Sequence, residues 1–424
     1  MVSAEFQEER PRLDVRIAQG RITQIGANLL PLLGEATIDA SDLWLFPGAV
    51  DTRVHLHDPG FTHKENFASG TEAAAAGGVT TVVAQPNTRP SIDSPAVFVM
   101  VRSIGMARSR VDFGVAAAVT VDNLSALAEL DSLGTASFEL ALGGPPGPEV
   151  FDDPRRLIEA PFALKPRLPA VGVMAADQRL RVAARERIVA AGRHDATAFA
   201  DAYPPEIEAM AVAVASVASL VSDVPLHFRQ IHAKHSLRVL QAFQVAGARI
   251  GAEVTPHHLM LGRSTLELLG PDAQMIPPLR PESEQSELIE ALVGGVLSTV
   301  GSDHAPHADS EKALGHDNLW SSPPGTPGLE TLFLALLTLA ARGDCSYAHV
   351  ALWTAQAPSA CFGFGDREGR LVVGFDADIA LIDPLASAPY DPRSQHGRAK
   401  SSPFRGTQLT GAVVGVLSRG RWAY

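Results

Sequence analysis

Apolar and polar residues alternate over Leu13-Asp14-Val15-Arg16-Ile17, the period-two pattern of a half-buried strand. Gln19-Gly20-Arg21 then reads as a turn and Ile22-Thr23-Gln24-Ile25 as a second short strand. The far end of the chain has the same character. Asp376 to Ile382 reads as a buried strand, Gly411 to Leu417 as another, and Ser418-Arg419-Gly420-Arg421 as a turn. Two β-rich ends predict one small sheet assembled from both.

The middle follows a different rhythm. Thr71 to Ala76 reads as helical, Gly77-Gly78 stops it, and Val79 to Ala84 is a β-branched strand. Ser236 to Ala246 carries apolar residues at Leu237, Leu240 and Phe243; Gly247 ends it, and Ile250 to Val254 is a strand. Leu288 to Leu297 reads as a helix and Ser298 to Gly301 as a short strand. Repeated helix, glycine, strand and polar loop predict parallel βα units. Residues 51–360 have room for eight of them. The expected architecture is α/β: a (β/α)8 TIM-type barrel over 51–360, with a small β-sandwich domain from 1–50 and 361–424.

Composition narrows the function. With 35 basic and 47 acidic residues the formal charge is −12, and no Lys/Arg block is present, so nucleic acid and anionic membrane are poor partners. Hydrophobic residues at 46% and charged residues at 19% exclude a disordered chain. Two cysteines, Cys345 and Cys361, cannot build a disulfide framework or a cysteine zinc site. The first fifteen residues lack an apolar core, and the uncharged Ala209–Ser222 run is shorter than a bilayer requires. A soluble cytoplasmic protein is expected.

In a parallel barrel the chemistry lies past the C-terminal ends of the strands. His55 and His57 lie there, as do Gln85 to Thr88, then His227, Gln230, His232 and His235, then His257 and His258, and finally Asp303, His304 and His307. Nine of the fourteen histidines occupy these segments. A lone loop histidine is usually solvated. Several at successive strand ends point to metal chemistry, because imidazole and carboxylate are preferred zinc ligands.

The block from Val50 to Glu65, with Val54-His55-Leu56 and Asp58-Pro59-Gly60-Phe61-Thr62-His63-Lys64, resembles the first-strand signature of dihydroorotases, members of the amidohydrolase superfamily. Ala74 to Val82, Gln85-Pro86-Asn87-Thr88, Ala252 to Leu259, Pro277-Pro278-Leu279-Arg280, Asp303 to His307, Gly325 to Thr331, Gly374 to Asp378 and Lys400 to Phe404 continue the likeness. The resemblance implies interconversion of N-carbamoyl-L-aspartate and L-dihydroorotate in pyrimidine biosynthesis. It also implies one or two zinc ions and a proton-shuttling aspartate at Asp303.

Departures from the family pattern fall on the chemistry. Aligned on Asp58-Pro59-Gly60, Arg53 stands at the first metal histidine and His55 at the second. His57 replaces the arginine that grips the substrate carboxylate. Met174 and Gln230 replace two further ligands, Glu139 lies where an aspartate is expected, and Ile276 replaces a substrate-contacting asparagine. The metal remnants are His55 and Asp303; Asn87, His57 and His307 remain on the substrate side. A catalytic zinc site normally has three protein ligands. The resemblance is closest to the non-catalytic dihydroorotase-like chains that assemble with aspartate carbamoyltransferase. It implies a structural subunit of an oligomer, with that catalytic chain as partner and no cofactor. The alternative is an active zinc-dependent cyclic amidohydrolase whose metal site is rearranged from His55, His57, His232, His235, Glu139 and Asp303. Residues 53, 55 and 57 would all face the barrel interior on one strand. Arg53 is then expected to take the vacated metal position and pair with Asp303, with Met174 filling the remaining space.

Overall fold

The computed structural model describes residues 12–144, 150–151, 159–160, 163 and 171–424. Eight parallel strands form one curled sheet in chain order: β4 (Ala49–Val54), β5 (Val79–Ala84), β6 (Asp112–Ala118), β7 (Ser137–Ala141), β8 (Val171–Met174), β9 (Leu226–Arg229), β10 (Ile250–Val254) and β11 (Thr299–Val300). A parallel bridge between Val54 and His304 links the first strand to the segment after the last, and the His55 N–H donates to the His304 carbonyl at 2.8 Å. This is the TIM-type barrel expected from the βα rhythm.

A separate antiparallel sheet orders β14 (Arg421–Trp422), β13 (Gln408–Ser418), β12 (Ile379–Pro389) and β3 (Trp44–Pro47). β1 (Asp14–Ala18) and β2 (Arg21–Gly26) pair as a hairpin, and the Ile22 N–H donates to Phe375 O, tying the hairpin to the C-terminal segment. Both ends of the chain therefore build the small domain. Only Gly48 separates β3 from β4.

Local chemistry sets the boundaries. The Phe67–Ala76 helix begins four residues before the expected Thr71 because Asn66 caps it, accepting from the Ser69 N–H at 3.0 Å. The helix expected over 288–297 instead spans Gln285–Val293, since Gly294-Gly295 ends it and Gly295 takes φ 79°. β12 starts later than expected and runs on to Pro389.

The Ala196–Ser222 stretch is long and apolar enough to cross a bilayer by length and composition, but half of its most apolar window is buried within the protein. It contains a separate short helix, Ala196–Asp201, before the Glu206–Ser222 helix.

Candidate active site at the barrel mouth

β4 leads into the site. Asp51 accepts from the Arg53 N–H and the Ser302 N–H, each at 3.1 Å, and so couples the first strand to the segment after β11. Arg53, only 3% exposed, turns its guanidinium inward. Its Nε donates to Asp303 Oδ1 at 2.9 Å, and its terminal nitrogen lies 4.0 Å from Glu139 Oε2. The expected Arg53–Asp303 pair is present. His55 Nδ1 donates to Asn87 Oδ1 at 2.6 Å, while its Nε2 stands 3.5 Å from the same Asp303 oxygen.

The strand does not continue to His57 as expected. β4 ends at Val54, and His57 has φ 57°, a left-handed turn closed by the Phe61 N–H to His57 carbonyl bond at 2.9 Å. Strand alternation therefore stops before this residue. His57 is nevertheless buried, 6.1 Å ring to ring from His55 and 6.0 Å from His307. Neither of its ring nitrogens has a hydrogen-bond partner among the described residues. Burial, and after it the proximity of His55, His307 and Lys64, pushes its imidazole down to about 2. His307 receives a hydrogen bond from Lys64 at 3.0 Å and donates to Pro324 O at 3.1 Å; burial and Lys64 hold it down at about 3.

Below the mouth lies a buried ionic network. Arg229 donates to Glu139 Oε1 at 2.6 Å, to Thr52 Oγ1 at 2.8 Å and to Glu253 Oε2 at 3.3 Å, with its guanidinium 4.6 Å from the Phe362 ring centre. Burial alone would raise the Glu139 carboxyl, but Arg229 and then Arg53 outweigh it and hold it below its ordinary value. Asp303 behaves alike: burial is opposed by the His55 hydrogen bond and the Arg53 charge, which together keep it ionised. Glu253 has less compensation and is pushed up to about 7 by burial.

Two other expectations are corrected. His232 does not face the mouth; its Nδ1 bonds the buried Glu208 carboxylate and its Nε2 lies 2.7 Å from Arg280. His235 is exposed on the Lys234–Val245 helix. The set His55, His57, His232, His235, Glu139 and Asp303 is therefore not brought together. Gln230 is buried with φ 54°, and this turn redirects the chain before His232. Met174 ends β8 beside Ala141 and Arg229 and is only partly buried.

His257 was placed only among the strand-end histidines that point to metal chemistry, and Arg229 was assigned no role. His257 is buried, its Nε2 has no partner among the described residues, and burial lowers it to about 4 against the opposing pull of Asp303. The signal was present in both cases: Arg229 follows Phe228 at the end of a strand run, Ala252-Glu253-Val254 puts an opposite charge between apolar strand residues, and Thr255-Pro256-His257 follows a strand end.

Zinc–ligand bonds of ~2.0–2.2 Å require donors gathered within about 4.4 Å of each other. His55, His257 and Asp303 form no such group among the described residues, and the Arg53 guanidinium already engages Asp303. The residues at the mouth therefore do not fit a zinc ion. The one gathered carboxylate group among the described residues lies at the opposite end of the barrel. There, ligand oxygens of Asp112, Glu368, Asp376 and Asp378 fall within 4.8 Å of one another, a possible cation site. Arg419 Nε stands 2.6 Å from Asp112, while Arg367 and Arg21 flank Asp376.

The amidohydrolase family pattern matches residues 44–423. A dihydroorotase of Halobacterium salinarum is 35% identical over 406 residues, 93% of this chain and 89% of that protein. A dihydroorotase of Methanothermobacter thermautotrophicus is 31% identical, over 96% of this chain and 90% of its own. Among solved structures, the L-hydantoinase (dihydropyrimidinase) of Arthrobacter aurescens superimposes with a TM-score of 0.93 at 26% identity, covering 97% of this chain and 92% of that one. With this fold, these motifs and these relatives, the chain belongs to the amidohydrolase family and is dihydroorotase-like.

Proposed function

We propose that this chain is a dihydroorotase-like barrel of pyrimidine biosynthesis that has given up metal-dependent hydrolysis and serves in the cytoplasm as a structural subunit of aspartate carbamoyltransferase. The observation that carries the reading is the Arg53–Asp303 pair at 2.9 Å. A permanent guanidinium beside Asp303 supplies the positive charge that a dication would otherwise bring, and it cannot deprotonate to become a ligand. Metal and guanidinium compete for one carboxylate. Met174 and Gln230 remove further donors, and methionine is a poor ligand for zinc. The dihydroorotase relatives supply the pathway, and the resemblance to non-catalytic chains supplies the partner.

A second reading is an active cyclic amidohydrolase with a rearranged site. Its support is the orphaned ring nitrogens of His57 and His257, which are free to bind a ligand.

The deciding experiment measures zinc per chain and turnover of dihydroorotate on purified protein, together with co-elution with the aspartate carbamoyltransferase catalytic chain. The structural reading expects no stoichiometric zinc, no turnover and a joint complex. One tightly held zinc with turnover would favour the second reading.

A further inference from the structure

Four carboxylates meet where the small domain rests on the foot of the barrel. Asp112 opens β6, and Glu368, Asp376 and Asp378 come from the segment that leads into β12. One ligand oxygen from each lies within 4.8 Å of the others. Glu368, Asp376 and Asp378 are 7, 4 and 4% exposed. The arginines nearby leave the group incomplete. Arg419 Nε holds Asp112 Oδ2, and Arg367 holds Asp376 Oδ2, with Arg21 3.6 Å from the other Asp376 oxygen. Among the described residues no cationic side chain pairs with Glu368 or Asp378. Glu368 Oε2 accepts only from the Thr81 hydroxyl at 2.7 Å, and Asp378 Oδ1 from the Arg419 N–H at 2.8 Å. Asp378 Oδ2 is buried with no hydrogen-bond partner among the described residues. A buried carboxylate oxygen left bare is costly unless a positive group completes it.

We propose that these four carboxylates form a structural calcium site that fastens the small β domain to the foot of the barrel. The two carboxylates without a cationic partner carry the charge that one dication balances. Oxygen-only donors select a hard cation over zinc. The spacing then selects among hard cations. Calcium–oxygen bonds of ~2.3–2.6 Å allow opposed ligands up to roughly 4.6–5.2 Å apart, whereas magnesium bonds of ~2.0–2.1 Å allow only about 4.2 Å. The observed 4.8 Å falls in the calcium range. A cavity of about 780 Å³, lined by Gly20, Asp112, Ser418 and Arg419, reaches the group at Asp112 and offers a path for the ion and its remaining water ligands. The inference is independent of whether the barrel mouth is catalytic.

Equilibrium dialysis and thermal melts on the full chain, chelator-treated and near pH 8, test it. One calcium per chain is expected, and saturating CaCl2 should raise the melting temperature by about 3 °C. Asp378→Asn and Glu368→Gln remove charge but can still accept from the Arg419 N–H and the Thr81 hydroxyl. Each should weaken calcium binding at least tenfold and abolish the rise. Both should keep or exceed the calcium-free melting temperature of the natural chain, which separates lost binding from lost folding. Asp391→Asn, at an exposed position, should retain the full rise. Absence of bound calcium on the natural chain overturns the proposal. So does a rise that survives Asp378→Asn, or an equal rise with MgCl2.

Discussion

Gly172 on β8 leaves the space that the Glu139 carboxylate occupies: a Cβ at position 172 would stand 2.3 Å from Glu139 Oε2. The absent side chain is what allows the carboxylate to reach Arg229 across the barrel interior. Gly172→Ala should therefore displace Glu139 and cost about 2–4 kcal/mol, through overpacking and a weakened buried pair. The same substitution in a Glu139→Ala background should cost far less, because the space is empty. Urea denaturation of the four proteins measures the difference. Equal costs in both backgrounds would sink the packing account.

Arg53→Ala strands the Asp303 carboxylate in a buried setting and should destabilise the fold by ~3–5 kcal/mol. Removing both charges together, as Arg53→Met with Asp303→Asn, should recover most of that loss. Thermal melts of the single and double variants check it; strictly additive losses would mean the two groups do not depend on one another.

The buried charges also set a pH dependence. Burial pushes Glu368 and Asp378 at the foot of the barrel, and Glu208 and Glu253, up to about 7. In the unfolded chain these groups lose their protons near pH 4, so the folded form binds more protons in between. Their contribution is fully present below about pH 4 and is lost as pH rises through 7. His57, His257 and His307, held at about 2, 4 and 3, act in the opposite direction. Their stabilising contribution is complete above about pH 6.5. Above that pH the four carboxyls titrate against one buried amine: burial holds Lys312 down at about 7, and its stabilising contribution grows as pH rises. With four groups against one, the melting temperature should fall between pH 6.5 and 7.5. Glu368→Gln should shrink that fall. A melting temperature that climbs over this range would contradict the assignment.

Restoring donors at the mouth should restore metal affinity. Arg53→His combined with Gln230→His removes the competing cation and adds two imidazoles. Zinc per chain, measured by elemental analysis after dialysis, should rise at least tenfold over the natural protein. No rise would show that the site's backbone, and not its side chains, excludes the metal.

Much of the scaffold was legible in the sequence. β5 and β10 appear with the boundaries that their β-branched and apolar runs predict, because a glycine shortly precedes each strand and a proline stands two residues after it. The Arg53–Asp303 pair was legible as well, since closing a barrel brings the ends of its first and last strands together. Legibility failed where the backbone left the strand. His57 was placed by period-two reasoning, which lapses at its own left-handed turn, and His232 was placed only as lying past a strand end, beyond the left-handed turn of Gln230. It failed again for Arg229, whose burial depends on Glu139, Thr52 and Glu253 arriving from three other strands. No local window contains that information.

The pairing of β3 with β12 has a consequence for synthesis. Trp44 lies opposite Ile382, a separation of 382 − 44 = 338 residues. At ~5–20 residues per second, β3 waits about 20–70 s on the ribosome before its partner strand is made. Its backbone edge stays open throughout, next to the barrel strand that must begin pairing with β5. Nascent chains halted before residue 379 thus carry a bare edge and no small sheet to cover it, and these species are the ones that chaperones should recognise.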